Sequence, residues 1–146
     1  MKSKIIITMM LLLSAVGWAR AQEELTVYDN AGTNSRIPAY ILYWDDFTRS
    51  QTVMPAADLA DMAGGTITAM TFYTTNSNIP YTSVSTADVY LMEVDYTEIS
   101  AFEPKANGTI VYQGTVDIVS DGSGGKLTIE FSTPFYYGGG NLLIGI

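Results

Sequence analysis

Strict alternation of apolar and polar residues is the feature that most limits what this chain can become. In residues 126–132, Leu127, Ile129 and Phe131 alternate with Lys126, Thr128 and Glu130, which puts an apolar row on one side of a strand and a polar row on the other. Short runs of β-branched and aromatic residues recur along the chain between clusters of Gly, Pro, Asn and Asp. That rhythm predicts an all-β fold, an antiparallel β-sandwich of jelly-roll type.

The expected elements follow from the same logic. Strands are predicted over residues 25–28, 37–44, 51–54, 66–74 and 87–94. In 66–74, Met70 and Phe72 share one face, and Ala69, Thr71 and Tyr73 share the other. In 87–94, Tyr90, Met92 and Val94 are expected to face inward, because the opposite set of Val89, Leu91 and Glu93 contains a charge. Residues 55–65 read as a short helix, with Pro55 in the first turn, Leu59 and Met62 on one side, and Gly64 in a left-handed closing position. A single helical turn is expected over 96–102, and a polar loop over 75–86. Residues 109–119 and 126–132 read as the two arms of a hairpin across a glycine-rich turn. Residues 141–146 read as a buried strand after the Gly138-Gly139-Gly140 turn.

The first 21 residues have another character. Lys2 and Lys4 precede an apolar run over residues 5–16, and Ala19-Arg20-Ala21 has the small-x-small pattern of a signal-peptidase site. The run is shorter than the roughly 20 apolar residues a membrane-spanning helix needs. Residues 1–21 are therefore predicted to be a secretory signal peptide, cut after Ala21, which makes the chain secreted or surface-bound and free of membrane insertion after cleavage. Absence of Cys excludes the bacterial lipoprotein route. Residues 22–146 form one expected domain. Because the apolar run from Asn141 continues to Ile146 with no polar ending, the domain is expected to be incomplete, with further domains following it.

Charge and composition exclude several function classes. Four basic residues stand against fifteen acidic ones after residue 21, a net of −11, and such a surface repels nucleic acid and anionic lipid. With neither His nor Cys in the chain, a Ser-His-Asp triad, a Cys-His pair and a His- or Cys-ligated zinc site are all impossible within it. Carboxylate chemistry remains. Glu93, Asp95, Glu98 and Glu130 are present, but nothing in their spacing brings a pair onto one cleft, as glycoside hydrolysis requires.

Several stretches resemble a domain common in exported and surface proteins of Bacteroidales gut and oral bacteria. The resemblance is carried by Leu25-Thr26-Val27-Tyr28-Asp29, by Met54-Pro55-Ala56-Ala57-Asp58-Leu59-Ala60, and by Gly64-Gly65-Thr66-Ile67-Thr68-Ala69-Met70-Thr71-Phe72-Tyr73. Val89-Tyr90-Leu91-Met92-Glu93-Val94, Ile110-Val111-Tyr112-Gln113-Gly114 and Gly139-Gly140-Asn141-Leu142-Leu143-Ile144-Gly145 extend it over nearly all of residues 22–146. It implies a β-sandwich placed before other modules, on or outside the cell, and it transfers no catalytic residue.

Binding is then the chemistry to look for. Ten tyrosines and Trp44 supply flat rings with polar tips, which can lie on the C–H faces of sugars. Tyr40, Tyr43, Trp44 and Tyr81 are the predicted ligand residues, since they lie in or beside turn-rich segments. The same residue type also suits half-buried strands. Asp117 and Asp121, flanking the hairpin turn, and Asp45-Asp46 offer oxygen ligands to calcium, although neither group has the spacing of the twelve-residue calcium loop. No other cofactor is expected. The function expected is a non-catalytic module for adhesion or glycan binding, with polysaccharide or an extracellular glycoprotein as partner. An accessory domain of a secreted hydrolase or peptidase, and a structural spacer, are the alternatives. N-terminal sequencing of the exported protein should begin at Gln22, and a bulky residue in place of Ala21 should block the cut. Recovery of Met1 on exported protein would refute the signal-peptide reading.

Overall fold

The structure is a computed structural model that describes residues 24–27, 48–74, 85–116, 119–120 and 125–146. The signal segment, the strand expected at 37–44 and most of the loop at 75–86 lie outside the described residues. The described residues form seven strands: β1 (Gln51–Met54), β2 (Gly65–Thr74), β3 (Ser85–Val94), β4 (Thr109–Val116), β5 (Val119–Ser120), β6 (Gly125–Tyr137) and β7 (Asn141–Gly145). They make two antiparallel sheets, in the orders β1-β7-β3-β4 and β2-β6-β5. This is the all-β, sandwich-like architecture that the alternation predicts.

One apolar cluster joins the sheets. Val89, Leu91, Val111, Val116, Leu142 and Ile144 of the first meet Ile67, Leu127, Ile129, Phe135 and Tyr137 of the second, with Leu59 packed in from the connecting turn. Truncating one of the buried leucines to alanine typically costs about 2–5 kcal/mol. In β6 the alternation holds as expected, with Leu127 and Ile129 buried, Phe131 packed against the core, and Lys126, Thr128 and Glu130 exposed.

Residues 55–65 form the expected turn, wound as a 3₁₀ helix over Ala56–Met62. Its bonds run from Asp58 N–H to Pro55 O and from Ala63 N–H to Ala60 O, and Leu59 is buried. Gly64 closes it with φ +76°, a conformation that favours glycine, and its N–H bonds Tyr137 O at 2.8 Å.

Four expectations are corrected. In β3 the inward set is Val89 and Leu91, both fully buried in the shared core, whereas Tyr90 is buried on the opposite face and Met92 and Val94 are half-buried. The charge of Glu93 does not exclude that set, because Glu93 sits near the strand end and its carboxylate leaves the core for the glycine turn. Secondly, β4 is not the partner of β6. It pairs with β3 in the first sheet, and only the two residues of β5 pair with β6. The run read as one arm changes sheet between Val116 and Val119, and alternation within a strand does not specify its partner. Thirdly, residues 24–27 form no strand, although Leu25 and Val27 pack against the core. Alternate burial there occurs without a ladder partner among the described residues. Lastly, residues 96–102 are not helical. The helical turn is a 3₁₀ one at Lys105–Asn107, after Pro104, because the backbone of Glu103 is bonded to the Gln51 side chain rather than to its own neighbours.

Tyr90 lies across β7 where Gly145 has no side chain, since a Cβ at Gly145 would collide with the ring and hydroxyl of Tyr90. Gly145→Ala should therefore destabilise the protein by about 1–3 kcal/mol, the usual effect of overpacking, lowering the thermal midpoint by several degrees. The loss should shrink in a Tyr90→Leu background; equal losses in both backgrounds, measured by denaturant unfolding, would show that the two residues do not interact.

Candidate functional site

Every ligand residue that the sequence nominates lies outside the described residues: Tyr40, Tyr43, Trp44 and Tyr81 for a glycan, Asp117 and Asp121 or Asp45-Asp46 for calcium, and Ala19 and Ala21 for signal cleavage. The structure brings other residues together.

Carboxylates come first, because they are the remaining route to chemistry. Glu93, near the end of β3, accepts backbone N–H bonds from Gly138 at 2.6 Å and Gly140 at 2.7 Å, so both its oxygens are held by the glycine turn. The Tyr137 hydroxyl, inside that turn, donates to Gly140 O at 2.6 Å. Burial, helped by the negative charge of Glu93, pushes the Tyr137 phenol above its ordinary value. Glu130 is on β6, in the other sheet. Among the described residues, no group of three or more carboxylates could hold a metal ion.

A polar clamp covers part of the first sheet on the side away from the core. The Gln51 amide donates to the Tyr90 hydroxyl and to Glu103 O, and accepts from Glu103 N–H at 3.0 Å. It thus bonds the Glu103 backbone much as a neighbouring strand would. The Tyr90 hydroxyl donates to Glu103 O at 3.0 Å. On the Glu103 side chain, the Tyr96 hydroxyl donates to Oε1 at 3.0 Å. Burial and then that bond to Glu103 push the Tyr96 phenol upward. Asn141 ties the clamp to the 3₁₀ turn, donating to Tyr96 O at 3.1 Å and accepting from Ala56 N–H at 2.9 Å. These bonds hold the segment after β3 in place.

The second sheet offers the other kind of surface. Opposed residues on paired strands point to one side, so Thr66 with Tyr136, Thr71 with Thr128, and Tyr73 with Lys126 share its outward face. Tyr73 is 58% exposed and Tyr136 66%. The Thr71 and Thr128 hydroxyls are 3.1 Å apart. Lys126 Nζ sits 5.5 Å from the centre of the Tyr73 ring, a cation–π distance. Among the described residues, Phe102, 56% exposed, is the other large exposed ring, with the Arg49 guanidinium 6.0 Å from its centre.

Sequence reasoning placed Tyr73 on the face of β2 opposite Met70 and Phe72 but did not single it out, and it missed Tyr136. The signal was available: continuing the alternation of 126–132 to residue 136 keeps Tyr136 on the side of Lys126 and Glu130. Compared with protein-family models, with curated proteins and with solved structures, the chain finds no match in any of the three.

The first sheet also carries an exposed charge cluster. Lys105 Nζ lies 2.5 Å from Asp88 Oδ2, and Gln113 Nε2 donates to Asp88 Oδ1 at 3.0 Å. The bond from Lys105, then that from Gln113, holds the Asp88 carboxyl below its ordinary value of 3.8. Its stabilisation is therefore present above the unfolded value and lost as pH falls through the lowered folded one. Being exposed, the pair contributes less than about 1 kcal/mol. Lys105→Ala should raise the Asp88 midpoint toward the ordinary range and flatten the acid limb of stability against pH. An unchanged Asp88 titration, followed by carboxyl NMR, would show that Lys105 does not set it.

Proposed function

We propose that this chain is a non-catalytic binding module of an exported bacterial protein, serving adhesion or glycan binding on or outside the cell. The observation that carries the reading is the exposure of Tyr73 and Tyr136 on one sheet face, beside the Thr71 and Thr128 hydroxyls. A single exposed aromatic needs no explanation. Two on one face with hydroxyls between them make a surface of the kind sugars contact, where rings stack on C–H faces and hydroxyls exchange hydrogen bonds with sugar hydroxyls. The acidic excess of the chain, −8 overall, disfavours nucleic acid and anionic lipid as partners. The resemblance to exported Bacteroidales domains points the same way.

The test is affinity electrophoresis of the full chain through gels containing soluble polysaccharides. Retarded migration in at least one gel, with no release of reducing sugar, is expected. Unaltered migration across neutral and acidic polysaccharides alike would overturn the proposal.

A further inference from the structure

The two exposed tyrosines stand near opposite ends of one ladder, and their separation limits what can touch both. Tyr136 is opposite Thr66 and Tyr73 is opposite Lys126, so the two positions are seven residues apart along β2. At ~3.3 Å per strand residue that is roughly 23 Å. A ligand of one or two sugars reaches one ring only. The Thr71 and Thr128 hydroxyls lie between the two positions, paired with each other and exposed. Among the described residues, the charges on this face are one of each sign, Lys126 and Glu130, and Lys126 lies over the Tyr73 ring. The strip thus has neither the row of bases that an anionic polymer would need against a chain of net charge −8 nor the row of acids that a cationic one would need.

We infer that the outward face of β2 and β6 binds one uncharged, extended polysaccharide chain. Tyr136 and Tyr73 stack on sugar rings at the two ends, and the threonine hydroxyls exchange hydrogen bonds with the sugars between. The inference rests on the reading of the chain as a glycan-binding module and adds the site, the ligand class and the minimum length. Because one polymer joins the two stacking contacts, the second forms at high effective concentration once the first is made. Affinity then rises steeply at the length that spans both rings.

The experiment measures binding of the full chain to three uncharged polymers, a dextran, a mannan and a mixed-linkage β-glucan, and to oligosaccharides of graded length cut from whichever is bound. Affinity should climb by about tenfold or more between fragments too short for both rings and those long enough. Tyr73→Ala and Tyr136→Ala should each reduce polymer binding to the level of the short fragments, whereas Tyr73→Phe and Tyr136→Phe retain most of it. Both residues are exposed, so thermal unfolding and circular dichroism of the variants should match the parent. Equal affinity for short and long fragments overturns the spanning site while leaving glycan binding intact. So does polymer binding that survives both alanine substitutions, or binding confined to anionic polymers and weakened by salt. Binding only to a protein overturns this inference while leaving adhesion intact, and binding to no glycan overturns this inference and the glycan-binding reading together.

Discussion

β7 is hydrogen-bonded on both edges, to β1 and to β3, and Leu142, Leu143 and Ile144 are all buried. Leu142 and Ile144 belong to the core between the sheets, while Leu143, fully buried, points the other way. A strand enclosed on both faces requires a continuous apolar run rather than alternation, and Asn141-Leu142-Leu143-Ile144-Gly145 meets that requirement. The rest of the first sheet is arranged around it. The ladder places Gln51, Gly145 and Tyr90 side by side, so the missing side chain at Gly145 lets the Tyr90 ring pass across β7 to Gln51. Gln51 then binds the Glu103 backbone. One glycine in a buried strand therefore decides where the segment following β3 is held.

Register has the same authority in the second sheet. The pairing of β2 with β6 shifts between Ile67 and Ala69, leaving residues 131–134 of β6 out of the ladder. Pro134, which has no N–H to donate, falls within that stretch, where none is needed. Ser132 Oγ bonds Val111 O at 3.1 Å there, linking the two sheets. Beyond the bulge the ladder resumes with Phe135 and Tyr137 buried and Tyr136 outward. A slip of one residue would exchange Tyr136 and Tyr137 between core and surface, and with them the ring nominated for sugar contact and the ring buried in the glycine turn. The candidate site thus depends on a bulge that carries no ligand group.

Much of this was legible in the chain. The boundaries of β1, the start of β7, the inward row of β6, the shared face of Met70 and Phe72 on β2, and the stop at Gly64 are local properties: period-two side-chain direction, a continuous apolar run and a positive φ each depend on a few neighbouring residues. The inward face of β3 was misread because one charge at its end outweighed Val89 and Leu91. Among the candidate site residues, Tyr73 could be placed on the face of its strand opposite Met70 and Phe72. Its relation to Tyr136 could not, since the two come from strands separated by fifty residues and meet only through the β2–β6 register.

By itself the sequence determined the class of fold, because alternation without a sustained helical period leaves strands as the way to bury the apolar rows, and it excluded His- and Cys-based chemistry by lacking both residues. Tertiary structure alone decided which strands pair, that β4 and β6 belong to different sheets, and which tyrosines face outward together. The physical reason is range. Side-chain direction within a strand is set by the covalent geometry of adjacent residues, whereas partner and register are set by contacts between segments far apart in the chain, and a surface composed of two strands exists only once that pairing has been made.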